Sequence, residues 1–116
     1  MASLIDKQKA FPGFVARLIM WLSQQGYEVT FGEAHRPPET ARLYAVDGKG
    51  IANSLHCMRL AIDLNLWRGG KYLQKNDEYA QPGMFWRSLS TSEMTCVWGG
   101  DFGDGNHFSI AHNGVR

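Results

Sequence analysis

The sequence predicts an α+β fold in which a small antiparallel sheet is covered by helices on one face and leaves its other face open. Three observations point there. An apolar stripe at three- and four-residue spacing marks one long helix, period-two alternation recurs in three later stretches, and Arg68-Gly69-Gly70 is a turn signal of hairpin length.

Phe11, Phe14, Val15, Leu18, Trp21 and Leu22 form the helical stripe, which ends near Gln25 with Gly26 as its stop and Pro12 in its first turn. Tyr27, Val29 and Phe31 then alternate with Glu28, Thr30 and Gly32 as a half-buried strand would. Proline is tolerated in a first helical turn, so Pro37-Pro38 opens a short helix to about Val46, with Arg36 at the preceding strand end. Asp47 to Leu55 lacks periodicity and reads as a loop that delivers Ser54 and His56.

Alternation returns from Arg59 to Trp67. Leu60, Ile62, Leu64 and Leu66 share the core face, and Ala61, Asp63 and Asn65 share the other. Lys71 to Leu73 completes a hairpin, Gln74 to Gln81 reads as loop, and Pro82 begins a helix through Leu89. Ser90 to Thr95 is a surface connection, and Trp98-Gly99-Gly100 a tight backbone passage. The last strand runs from His107 to Ala111, with Phe108 and Ile110 inward and His107 on the side of Asp63.

The 116 residues suit a single domain, residues 1–116, able to bury one core. With Lys+Arg 12 against Asp+Glu 11, no basic surface for nucleic acid is expected. Leu18 to Leu22 is too short to span a bilayer, and Asp6, Lys7 and Lys9 break up any apolar leader. The expectation is therefore a monomer without membrane insertion or export signal, cytoplasmic until something releases it. Cys57 and Cys96 are too few for a disulfide scaffold and read as buried thiols.

The chemistry concentrates in Ser54-Leu-His56 and Asp63, answered by Asp104-Gly-Asn-His107. His56, Asp63 and His107 offer two imidazoles and one carboxylate, the donor composition of an open catalytic zinc site rather than a closed structural one, and Asp104 is left over as a base. Seven extended residues would cover roughly 23 Å, so the chain must turn back between His56 and Asp63 for both to reach one ion. Each residue also has an ordinary reading: a lone histidine is commonly structural, a strand aspartate is commonly solvated, and Asp-Gly-Asn is good turn chemistry. Arg36 is suited to hold a carboxylate through two parallel hydrogen bonds, or else pairs with Glu33 or Glu39 at the surface. Ser54 offers a hydroxyl to the same carboxylate or satisfies loop backbone.

Ser54-x-His56 followed by Asp63, Trp98-Gly99-Gly100-Asp101-Phe102, Asp104-Gly-Asn-His107-Phe108 and Gly32-Glu33-Ala34-His35-Arg36 together resemble the zinc D-alanyl-D-alanine carboxypeptidase and L-alanyl-D-glutamate endopeptidase family. That family shares its fold with the Hedgehog signalling domain, and the likeness is greatest to its compact phage endolysin-type members. The resemblance implies a Hedgehog/DD-peptidase-like fold with the zinc on the open face of the sheet. It implies one zinc ion bound by His56, Asp63 and His107, Asp104 as catalytic base, and Arg36 with Ser54 on the substrate. The activity implied is hydrolysis of a bond in peptidoglycan stem peptides, the L-alanyl-D-glutamate bond first and the terminal D-alanyl-D-alanine bond as the alternative. A non-catalytic zinc-stabilised binding module is the alternative of another class. Two departures stand out: only Asp101, Phe102 and Gly103 separate the Trp-Gly-Gly and Asp-x-x-His motifs, and Ser109 stands where glutamate is frequent.

Overall fold

A computed structural model describes residues 2–48 and 54–116. Helix α1 spans Leu4–Gln24, strand β1 Glu28–Phe31, helix α2 Pro38–Val46, strand β2 Ala61–Arg68, strand β3 Lys71–Tyr72, helix α3 Ala80–Ser88, strand β4 Cys96–Trp98 and strand β5 His107–Ile110. The sheet runs β1-β2-β5-β4, entirely antiparallel, with β3 also paired to β2. The expected α+β class and hairpin are present. The central part of the loop expected from Asp47 to Leu55, residues 49–53, lies outside the described residues.

Helix α1 begins well before its apolar stripe. The Ser3 hydroxyl accepts from the Asp6 amide at 3.2 Å, and the Ser3 amide donates back to the Asp6 carboxylate at 3.1 Å, a reciprocal cap that satisfies two terminal N–H groups. Pro12 therefore lies inside the helix rather than in its first turn. The first turns carry no apolar periodicity because they are held by polar contacts: Lys7 Nζ donates to the Ala111 carbonyl at 2.9 Å and Gln8 Nε2 to the Met58 carbonyl at 2.8 Å.

The stripe Phe11, Phe14, Val15, Leu18 and Leu22 is buried against Leu60, Leu64, Leu66, Phe108 and Ile110, each side chain contributing about 1.5–3 kcal/mol by leaving water. Trp86 of α3 sits at the junction, with ring centroids 5.9 Å from Phe11, 6.3 Å from Phe14 and 6.0 Å from Phe108. Its indole N–H donates to the Ser109 carbonyl at 3.0 Å, so this large buried ring leaves no orphan donor.

Gln74 to Gln81 is more ordered than its polarity suggests. A 3₁₀ turn, Asn76–Tyr79, leads directly into α3, which starts at Ala80 rather than at Pro82. The anchor is Tyr79, buried, whose hydroxyl donates to the Leu73 carbonyl at 2.8 Å and accepts from the Leu66 amide at 3.0 Å. Strand β4 is short and abuts two glycines, which hid it from periodicity.

Cys96 is buried on β4, and burial pushes its thiol up to about 11. The stability gained by keeping it neutral is complete below about pH 8.5, the unfolded value, and is lost as pH rises through about 11. Native protein at pH 8 is expected to leave Cys96 unalkylated by iodoacetamide, with labelling appearing only in denaturant; peptide mapping by mass spectrometry checks this.

Candidate metal centre and its surroundings

Asp63 and His107 are direct cross-strand partners on β2 and β5, so their side chains emerge on one face of the sheet. Their even-numbered neighbours Ile62, Leu64 and Phe108 point into the core. His56 arrives from a different direction, on a 3₁₀ turn, Leu55–Met58. That turn ends at Arg59 with φ 57°, a left-handed residue that reverses the chain so that β2 runs back past His56. The turn-back required by the spacing of His56 and Asp63 is thus made at a single residue.

The three side chains offer donor atoms that all lie within 4.8 Å of one another. His56 Nε2 is 3.3 Å and His107 Nδ1 3.6 Å from Asp63 Oδ1, yet that buried oxygen has no hydrogen-bond partner among the described residues. A half-buried carboxylate facing two imidazoles without a bond to either is a poor arrangement unless a further group sits between them. Asp63, His56 and His107 therefore fit a divalent metal, two imidazoles and one carboxylate being a common donor set for one.

The segment after β1 supports two of these residues through its backbone. The Ala34 carbonyl lies 2.9 Å from His56 Nδ1. A carbonyl can only accept, so Nδ1 carries the proton and Nε2 presents its lone pair to the cluster. The Gly32 amide donates to the Asp63 carbonyl and the Asp63 amide to the Glu33 carbonyl, both at 2.8 Å, so two residues of one chain oppose one of the other in a β-bulge at the site. A Cβ on Gly32 would stand 2.9 Å from Asp63 Cβ and 3.0 Å from its carbonyl oxygen, which is why glycine occupies the bulge.

Electrostatics follow from this packing. Burial works to raise the Asp63 pKa, but the His107 and His56 side chains outweigh it and bring the group to about 2. Burial also works against a charged His56, but the Asp63 carboxylate prevails and raises its pKa. Asp104 lies beside the cluster, with Oδ2 3.8 Å from His107 Nδ1, and is raised, by burial first and by the Asp63 charge next, against the lowering effect of His107.

Asp104 is held by its backbone. Its amide donates to the Gly99 carbonyl at 2.8 Å, its carbonyl accepts from the His107 amide at 3.1 Å, and the Trp98 indole donates to the Gly105 carbonyl at 2.7 Å. A Cβ on Gly99 would collide with the Asp104 carbonyl oxygen and stand 2.6 Å from His107 Cβ. Gly99→Ala is accordingly expected to destabilise by about 1–3 kcal/mol, as overpacking does, and to lower activity beyond that loss of folded protein. Thermal denaturation alongside activity per folded molecule separates the two effects.

Arg36 pairs with Glu33 through Nε, at 2.6 Å, and through Nη2, and its guanidinium lies 5.1 Å from the Tyr44 ring centroid. Of the two carboxylates expected to compete for it, Glu33 is the one engaged. The Arg36 amide donates to the His56 carbonyl at 3.0 Å, which ties it to the cluster. Ser54 is buried and its hydroxyl accepts from the His56 amide at 3.1 Å, the backbone role, leaving its own proton to donate. His35, next to Arg36, is exposed. The Ser109 hydroxyl lies 3.5 Å from the Val97 carbonyl, and His107 Nε2 is buried without a partner among the described residues. Gly32, Ala34 and the Glu33 carbonyl are the contributors that sequence patterning missed, because all three act through backbone atoms; the Glu33 side chain is the one part of this segment expected from the sequence, as a partner of Arg36.

Comparisons with known proteins bear on the fold and the family. No curated protein matches the chain. Among solved structures, the fold is similar to that of the Serratia marcescens L-Ala D-Glu endopeptidase ChiX, with a TM-score of 0.68 at 22% identity over 95% of this chain and 87% of that one. A family model described as D-alanyl-D-alanine carboxypeptidase matches residues 47–110, more than half of the chain and a span that includes His56, Asp63, Asp104 and His107. The protein thus belongs to the D-alanyl-D-alanine carboxypeptidase family of peptidases.

Proposed function

We propose that the protein is a zinc-dependent peptidase acting on the stem peptides of bacterial peptidoglycan, and that it cleaves the bond between L-alanine and D-glutamate. The observation that carries the reading is the convergence of His56, Asp63 and His107 with Asp104 standing 3.8 Å from one of them. The likeness to an L-Ala D-Glu endopeptidase along nearly the whole chain supports the choice of bond. The resemblance to compact endolysins adds a phage or prophage lysis setting to the proposal.

His56, Asp63 and His107 would hold the ion, which supplies an acidified water and polarises the scissile carbonyl. Asp104, whose carboxylate stands 3.8 Å from His107 Nδ1, accepts the proton of the attacking water and returns it to the departing amine. The Ala34 carbonyl keeps His56 in the tautomer that leaves Nε2 free. Arg36, oriented by Glu33 and Tyr44, offers its remaining donors to a substrate carboxylate, and the Ser54 hydroxyl adds one more.

The family description favours a second reading, removal of the terminal D-alanine. Incubating zinc-loaded protein with defined muropeptides and identifying products by mass spectrometry decides between them. Separation of glycan-linked L-alanine from the rest of the stem is expected; loss of a single D-alanine establishes the carboxypeptidase instead.

A further inference from the structure

Beside Asp104 the sheet splits. Strand β5 pairs with β2 as far as Asp63, and β3 pairs with it again from Trp67, leaving a polar cleft of about 280 Å³ between β3, the Asn76–Tyr79 turn and the turn from Gly103 to Asn106. Arg36 follows β1, which lies along the opposite edge of β2. Among the described residues no lysine, arginine or histidine lines the cleft, and its charged group is Asp104. A carboxylate would be repelled there, so the anionic part of a substrate belongs on the Arg36 side.

The cleft presents neutral polar groups. One N–H of Asn76 Nδ2 goes to the Gly100 carbonyl at 3.0 Å and one of Asn106 Nδ2 to Asn65 Oδ1 at 3.2 Å, and the Tyr72 hydroxyl donates to the same Asn65 oxygen at 3.3 Å. Asn76 and Asn106 each keep a second N–H and the amide oxygen, beside the Tyr72 phenolic oxygen, the Gln74 amide and the Asp104 carboxylate. A ligand that satisfies them is uncharged and carries both O–H or N–H donors and carbonyl or hydroxyl acceptors. At the rim, Trp67 and Tyr72 are cross-strand partners with ring centroids 4.8 Å apart, and both are partly exposed. They form a platform with apolar faces and polar edges, on which the C–H face of a sugar ring can lie.

Asp63, Asn65 and Trp67 alternate onto one face of β2. At about 3.3 Å per residue, Asn65 stands roughly 7 Å and Trp67 roughly 13 Å from the metal ligand. In a glycan-linked stem, one residue and the lactyl group separate the L-alanine carbonyl from the muramic acid ring, about 7 Å when extended. The carbonyl of the terminal D-alanyl-D-alanine bond is separated from the ring by four residues and the lactyl group, about 17 Å. The Asn65 edge of the cleft matches the first spacing, and the Trp67–Tyr72 platform lies further along the same line, where the glycan strand would continue.

We propose that the cleft bounded by Tyr72, Gln74, Asn76 and Asn106 is a subsite for the uncharged N-acetylated sugar of the glycan strand, so that the preferred substrate is the stem peptide while still attached to its sugar. This rests on the peptidase reading above and specifies which form of the peptide is taken. Asp104 and Asp63 mark where the subsite meets the reacting bond.

The test compares a muramyl tripeptide with the same tripeptide carrying only an N-lactoyl group, which keeps the amide and removes the sugar. Wild-type kcat/KM is expected to be about tenfold or more higher on the muramyl substrate, the worth of one well-made contact. Tyr72→Ala and, as a milder change on the exposed rim, Gln74→Ala are expected to cost more on the muramyl than on the N-lactoyl substrate, drawing the ratio toward one. Equal wild-type rates on both substrates, or equal losses on both in each variant, overturn the subsite. If neither substrate is cleaved, the peptidase reading fails on its own. The cleft is then read by titrating ¹⁵N-labelled protein with muramyl dipeptide and its N-lactoyl counterpart: a Trp67 indole shift with the muramyl compound alone upholds it, and no such shift overturns it.

Discussion

Asp104→Asn is expected to abolish most turnover, lowering kcat by about 10²–10⁴-fold, while metal content and melting temperature stay close to those of the wild type. Asparagine has the shape of aspartate but cannot accept and return a proton at neutral pH. The fold has little reason to notice the change, because about half of the Asp104 side chain stays open to solvent and its place is fixed by backbone bonds to Gly99 and His107. The side chain approaches His107 Nδ1 only to 3.8 Å, so no strong hydrogen bond is lost. Kinetics on a muropeptide, zinc stoichiometry and thermal denaturation read the three quantities separately. Unchanged function with this substitution would instead mark a zinc-stabilised binding module, in which the metal holds the chain together and performs no chemistry.

Much of this arrangement was legible from the residues because two periodicities carry it. Alternation along 60–66 separates leucines and Ile62 from Asp63, and alternation along 107–110 separates Phe108 from His107; the antiparallel pairing then makes Asp63 and His107 partners. Glycines near the site also read correctly, since Gly99 packs against the turn that carries Asp104 and His107. Contributions made through main-chain atoms did not show. The Ala34 carbonyl that sets the His56 tautomer and the Gly32-Glu33 bulge that receives Asp63 depend on where the segment after β1 is led, and side-chain patterns carry no record of that. The early start of α1 was hidden for a related reason: its first turns are stabilised by a cap and long polar side chains, not by an apolar stripe. Tyr79 shows the same limit from the other side, a single buried ring ordering a stretch whose composition reads as loop.

Asp63→Ala is expected to remove zinc binding and activity together, and the pH dependence of stability distinguishes the reason. In metal-free protein Asp63 has a pKa of about 2, below its unfolded value, so its contribution is present above about pH 4 and is lost as pH falls through about 2. His56 is raised by the same carboxylate, so its contribution is complete below about pH 6.5, the unfolded value, and is lost as pH rises through its folded pKa. The pair thus stabilises the metal-free chain most in mildly acidic solution. Zinc runs the other way, because it needs both imidazoles neutral and binds more tightly as they lose protons. At a hundredfold excess over its dissociation constant, a ligand confined to the native state stabilises by about 2.7 kcal/mol, which is roughly 10 °C in melting temperature for a domain near this size. Wild-type protein should therefore show a zinc-dependent rise in melting temperature that grows from pH 5 to pH 7.5, and Asp63→Ala should show none at either pH. Differential scanning fluorimetry with and without a chelator measures it; an equal zinc response in the variant would place the metal elsewhere, and with it the site of catalysis.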